Sequence, residues 1–181
     1  MNTGYQILDQ EVLYYCTFQI VKWVVLFTRR IYRDIVIESF LYCQNMKGLE
    51  LYAYVIMSNH IHVIVKAKPN FKLSNIIRDF KKYTAHRFLE EINTSKESRK
   101  DWILKRFEFA ASEHSRNSQY QIWTHENHAI VLYSTKFITQ KLNYIHENPV
   151  RAGLVDYAEN YLYSSARNYS KLSSMIKIDL L

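Results

Sequence analysis

Alternation of apolar and polar positions is clearest between Leu51 and Lys66. Two runs there, 51–57 and 60–66, predict strands joined through Ser58 and Asn59 as a two-residue hairpin loop. On the second strand His60 and His62 project to one face, while Ile61, Val63 and Val65 project to the other. An earlier run, 13–21, is rich in Tyr, Thr, Phe, Ile and Val and predicts another strand. Helical spacing follows it. Thr28 is the expected cap of a helix to about Lys47, with Ile31, Ile35 and Met46 on one face and Gly48 as its stop. Pro69 closes the hairpin unit. Ser74 then opens a second helix to about Ile92, whose apolar side is Ile76, Ile77, Phe80 and Tyr83. Strand, helix, hairpin, helix begins a ferredoxin-like (RRM-like) plan: an α+β fold with an antiparallel sheet and helices packed on one face.

The second half of the chain is less regular. Asn93 to Arg99 reads as a loop, and Trp102, Phe107 and Phe109 belong to a helical or irregular segment. A polar break spans 112–118. Two short runs, 120–123 and 129–133, are candidates for a fourth strand. Ser134 caps a helix over 135–148 that Pro149 is expected to end. With no low-complexity linker or repeat, the 181 residues read as one domain, 1–181, with a C-terminal extension from about residue 150.

That late helix carries two faces. Ile138, Leu142 and Ile145 make a buried stripe. Tyr144 and Asn148, four residues apart, share a different face with Phe137 and Lys141. His146 points to another side. If the helix docks across the sheet face bearing His60 and His62, two imidazoles and one amide close on a single divalent ion, with Tyr144 beside it. Such a set suits phosphodiester cleavage, which needs charge stabilisation on phosphate oxygens and an in-line nucleophile. A tyrosine hydroxyl has a pKa of about 10, so it needs neighbouring cations to attack at neutral pH. Taken singly these signals are weak. Seven histidines in 181 residues make one His-x-His pair unremarkable.

Composition narrows the partner. The formal net charge is +7, which favours a polyanion, and 15 tyrosines, many close to Lys or Arg, suit single-stranded nucleic acid. Arg78, Lys81 and Lys82 form a basic stripe on the second helix, with Arg87 a turn further. A phosphate track and an ordinary solvated face are equally good readings of it. Arg151, just past Pro149, is placed to hold a phosphate or to pair with Glu147 or Asp156. Cys16 and Cys43, not spaced as metal ligands, fit free thiols in a reducing cytoplasm. The start of the chain, residues 1–5, lacks an export signal's charged and apolar regions, and no apolar stretch is long enough for a membrane partner.

The segment YVIMSNHIHVIV (54–65) resembles the HUH motif of single-tyrosine HUH transposases, in which a bulky apolar residue separates two histidines. NYIHENPVRAGLV (143–155) resembles the tyrosine helix of the REP-associated tyrosine transposases, and FKKYT (80–84) and YLYSSARNY (161–169) fit the same group. The resemblance runs from about Leu13 to Tyr169. It implies an HUH endonuclease fold and cleavage and rejoining of single-stranded DNA, often beside a hairpin. It implies His60, His62 and Asn148 as ligands of Mg²⁺ or Mn²⁺, and Tyr144 as the nucleophile that takes the 5′-phosphate. Imidazole softness favours Mn²⁺ and abundance favours Mg²⁺. Arg78, Lys81, Lys82, Arg87, Lys141 and Arg151 are the candidate DNA contacts. A non-catalytic DNA-hairpin-binding protein of the same fold is the alternative. Monomer and homodimer stay open, the apolar first strand and helix leaning toward a dimer.

Overall fold

The computed structural model describes residues 7–113 and 119–181. The reading of residues 1–5, and positions 114–118 of the polar break, lie outside the described residues. Strands β1 (Tyr14–Gln19), β2 (Leu49–Ile56), β3 (His60–Ala67) and β4 (Ile130–Val131) form one antiparallel sheet in the order β2-β3-β1-β4. The β2–β3 hairpin turns at the expected place, and β1 lies beside β3 with Thr17 opposite His62 and Gln19 opposite His60. The fourth strand is 130–131; the run 120–123 contributes only an isolated bridge from Trp123 to Ile20.

Alternation along the strands gives the sheet two apolar faces. Tyr14, Cys16 and Phe18 of β1 and Ile61, Val63 and Val65 of β3 face the helices α1 (Arg30–Met46) and α2 (Leu73–Thr94), forming the main core. Tyr15, Ala53, Val55 and Ile64 face the opposite way and, with Leu132, receive Ile145 of α4 (Thr135–Arg151). The apolar residues of β1 and of the inner face of α1 are buried within the subunit, while Ile31, Leu41, Tyr42 and Met46 of α1 stay exposed. Cys16 and Cys43 are buried free thiols.

Both early helices begin differently from expectation. Arg29 and Lys72 occupy the cap positions without a side-chain cap bond. Thr28 instead donates from Oγ1 to the carbonyl of Val25 at 2.9 Å, and Ser74 sits inside the first turn, donating to Oε1 of Gln10. The buried face of α1 is Tyr32, Ile35, Val36, Phe40 and Cys43; Ile31 and Met46 are exposed. Tyr83 is likewise exposed. The next residue, Thr84, is buried, because its Oγ1 accepts from Nε1 of Trp123 at 3.0 Å and the helix is turned to meet that aromatic cluster. A regular helix, α3 (Lys100–Ser112), buries Ile103 and Phe107 and exposes Trp102 and Phe109.

Pro149 does not end α4, which runs to Arg151. A proline costs a helix one backbone hydrogen bond, and here the helix continues past it and stops at Gly153. That residue adopts φ +69°, donating from its N–H to Val150, while the N–H of Leu154 reaches back to the carbonyl of Pro149 at 2.9 Å. This is a Schellman cap, and glycine is the residue that takes a left-handed conformation without steric cost. The chain then lays residues 163–165 along the edge of β2, with Ser165 N–H bonded to the carbonyl of Tyr54 and Val55 bridged to Ser164. Oγ of Ser165 lies 2.9 Å from Nε2 of His146 and accepts from the N–H of Tyr54 at 3.0 Å, so one hydroxyl ties α4 to the sheet edge.

Glu97, in the loop after α2, is buried and gathers Nη1 of Arg29, the hydroxyl of Tyr32, and both Nε and the backbone N–H of Arg99. Burial alone would raise its pKa. The hydrogen bonds from Arg99 and Arg29 outweigh that and hold it at about 2. A carboxyl that ionises more readily folded than unfolded stabilises the fold above its ordinary value of 4.5, and this contribution is lost as pH falls toward 2. Glu97→Gln is therefore expected to lose about 2 kcal/mol at neutral pH. Its deficit against wild type should shrink between about pH 5 and 2. Urea unfolding of both proteins across that range reads the difference, and a pH-independent deficit would contradict the assignment.

Candidate active site

The hairpin, the strand beside it and α4 meet on the second face of the sheet. His60 and His62, two apart on β3, place their ring centres 4.7 Å apart. Packing of Ile145 against the sheet brings the preceding residue, Tyr144, over the second imidazole, with ring centres 5.3 Å apart and the planes at 69°. Tyr144 keeps 40% of its surface exposed while His62 keeps 5%, so the phenol caps a nearly closed floor. Asn148 follows one turn later and is half-buried; its Nδ2 leans on the carbonyl of Tyr144 at 3.5 Å.

Three residues that the sequence did not single out hold the imidazoles. Oδ1 of Asn59, in the hairpin loop, lies 2.8 Å from Nδ1 of His60. A carboxamide oxygen only accepts, so Nδ1 carries the proton and Nε2 keeps its lone pair. The hydroxyls of Tyr15 and Thr17 converge on Nδ1 of His62 at 2.8 and 2.9 Å. In the tautomer with Nδ1–H donating to these hydroxyls, Nε2 is free to ligate. Tyr15 and Thr17 lie two apart on β1, so they share the face of His62, and the β1–β3 register places Thr17 directly opposite it. The strand pairing was the signal for both, and it is a long-range fact.

Two cations flank the phenol. Nζ of Lys141 lies 4.6 Å from the ring centre of Tyr15 and 5.8 Å from that of Tyr144. Arg151 folds back along the helix, donating from Nη2 to the carbonyl of Tyr144 at 3.0 Å, which sets its guanidinium 4.5 Å from the Tyr144 ring centre. The guanidinium can do this because α4 continues past Pro149. Burial lowers the pKa of His60. His62 is pushed down to about 3, by burial first and then by the charges of His60, Lys141 and Arg151. Burial also pushes the Tyr15 hydroxyl up to about 12, so it is a neutral hydrogen-bonding partner.

The other candidate DNA contacts are on a different layer. Arg78, Lys81, Lys82 and Arg87 belong to α2, across the sheet from His60 and His62. Arg78 pairs with Asp79, and Arg87 with Tyr83 and Glu90. Nζ of Lys81 donates to the carbonyls of Thr124 at 2.9 Å and Glu126 at 3.3 Å, and burial lowers its pKa to about 8. Lys82 is exposed. Among the described residues, no three His, Cys, Asp or Glu side chains form a ligand cluster. None of their helices is long and apolar enough to cross a membrane.

A neutral buried histidine takes a proton more readily unfolded than folded, so its burial costs stability once pH falls below the ordinary value of 6.5. In the metal-free protein the His62 ring is expected to stay neutral through pH 5 and to titrate near 3. Histidine chemical shifts followed by NMR measure this directly. A midpoint above 6 would contradict the closed floor.

A family model described as transposase, IS200-like, matches residues 14–148. A solved REP-associated tyrosine transposase bound to a REP hairpin is 17% identical, with a TM-score of 0.67 over 100% of this chain and 94% of that one. At that identity the likeness speaks for the fold. A putative transposase from Deinococcus radiodurans R1 is 16% identical over 82% of this chain and 97% of its own, with a TM-score of 0.43. No curated protein matches the chain. With the family model matched over residues 14–148 and the paired histidines of its motif side by side on the sheet, the chain belongs to the IS200-like transposase family.

Proposed function

We propose that this protein is an endonuclease and strand transferase for single-stranded DNA, with Tyr144 as its nucleophile. The observation that carries the proposal is the contact of the Tyr144 ring with His62, 5.3 Å between centres, reached within one chain. The substrate is DNA with a hairpin and an unpaired flank, in keeping with the hairpin that the REP-associated relative binds.

Nε2 of His60 and of His62 and the amide oxygen of Asn148 would hold a divalent ion, Mg²⁺ or Mn²⁺. The donors fit, since both imidazoles are kept neutral by burial and their Nδ1 atoms are engaged by Asn59, Tyr15 and Thr17. Three neutral donors leave the ion its full charge, which supplies electrostatic stabilisation to phosphate oxygens. The rest is the work of the chain. Tyr144 Oη gives up its proton to solvent and forms a bond to phosphorus; the bond to the 3′-oxygen breaks, and that oxygen leaves and takes a proton from solvent. The products are a 5′-phosphotyrosine and a free 3′-hydroxyl. A 3′-hydroxyl attacking the same phosphorus releases the tyrosine and rejoins the strand without ATP. Lys141 and Arg151 put positive charge where negative charge develops on the phenol and phosphate.

Incubation of the protein with a hairpin oligonucleotide and Mn²⁺ tests this. Wild type is expected to give a protein–DNA band that survives a denaturing gel. Tyr144→Phe should lose the band while binding the oligonucleotide within about twofold of wild type, because the ring packing is kept. His62→Ala, or chelation of the metal, should also lose it. A band that persists in Tyr144→Phe would overturn the assignment of the nucleophile. Tight binding with no band from wild type would make the protein a hairpin-binding module instead.

A further inference from the structure

Tyr133, just ahead of α4, has 81% of its surface exposed. One exposed aromatic residue is ordinary. This ring is the outer end of a continuous row. Its centre lies 5.4 Å from that of Phe137, a ring half-buried on the sheet. One turn further along the helix, Nζ of Lys141 lies 5.5 Å from the Phe137 centre and contacts the rings of Tyr15 and Tyr144 as well. Tyr144 packs on His62, and Arg151 closes the far end. The row therefore runs from solvent to the paired histidines as ring, ring, cation, ring, cation, with no carboxylate among its members. From Tyr133 to Tyr144 it extends on the order of 16 Å along the helix axis, room for a few nucleotides.

A largely exposed ring, Tyr133, leading into partly exposed rings interleaved with cations matches the chemistry of an unpaired strand, whose bases stack and whose phosphates need positive charge. Duplex DNA keeps its bases stacked on each other and offers such rings nothing but backbone. We infer that Tyr133 is a nucleobase-stacking residue. An unpaired base of the strand leading to Tyr144 lies on its exposed face, Phe137 backs the ring, and Lys141 takes a neighbouring phosphate. The inference rests on the proposed function for the direction of the strand, and it adds a binding residue outside the reacting centre.

The test uses the full chain in EDTA and two fluorescent probes of equal length, an unpaired oligothymidylate and a blunt duplex. Tyr133→Ala is expected to weaken binding of the unpaired probe about tenfold and to leave duplex binding unchanged. Tyr133→Phe should bind like wild type, since stacking needs the ring and not the hydroxyl. Tyr133→Leu, which keeps apolar bulk without a π face, should repeat the loss. The salt dependence of binding should keep its slope in all three variants, because no charge is removed, whereas Lys141→Ala should flatten it. Equal affinity of Tyr133→Ala and wild type, an equal loss on both probes, or failure of wild type to bind the unpaired probe would each overturn the inference. The gel assay for the covalent band is independent: a band with no effect of Tyr133→Ala sinks the stacking role alone, and a stacking effect without a band sinks the nuclease reading alone.

Discussion

Docking of α4 on the second face of the sheet is the constraint on which the rest depends. A ferredoxin-like sheet with helices on one side leaves its other side to water. Here that side carries Tyr15, Ala53, Val55 and Ile64, and they bury Ile145 completely. Burying one such side chain is worth roughly 1.5–3 kcal/mol. The clamp from His146 through Ser165 to the β2 edge holds the helix from its other flank. Because Tyr144 precedes Ile145, the register that buries the isoleucine also sets the phenol over His62. The placing of the phenol over His62 and the core packing are thus two consequences of one contact.

The same burial tunes the chemistry. A pair of imidazoles in water would take protons at mildly acidic pH and repel a metal ion. Burial lowers the pKa of both rings, and for His62 the neighbouring charges of His60, Lys141 and Arg151 add to it. The two cations oppose protonation of His62 and flank the Tyr144 ring. Arg151 reaches this place only because the helix passes Pro149 and stops at Gly153. A helix broken at the proline would have sent the arginine elsewhere.

Much of this was legible in the residues, and the parts that were not share a cause. The hairpin, the facing of His60 and His62, and the common face of Tyr144 and Asn148 follow from local periods of two and 3.6 residues. The stripe Ile138, Leu142 and Ile145 followed in the same way and packs on the sheet as expected. Tyr15 and Thr17 were missed because their role comes from pairing between strands more than forty residues apart. The helix starts went wrong because Thr28 and Ser74 found other partners, so no side chain caps either helix. Gly153 was a readable stop, overshadowed by the proline before it. The basic residues of α2 lie on one helix, as their spacing states, but no local rule states on which side of the sheet a helix will lie.

Membership of the IS200-like transposase family sets the expectation of DNA handling, and the proposal assigns the reacting group to one phenol, Tyr144. Tyr15 is the natural rival, since its ring centre is 6.3 Å from that of Tyr144 and it also adjoins His62. Its hydroxyl is hydrogen-bonded and hard to ionise, so it should be spared. The decisive measurement is tandem mass spectrometry of a tryptic digest of the covalent protein–DNA species. The account predicts one nucleotide-bearing peptide, residues 142–151, with the phosphate on Tyr144. A phosphate on Tyr15, on a histidine or on any other side chain would contradict it.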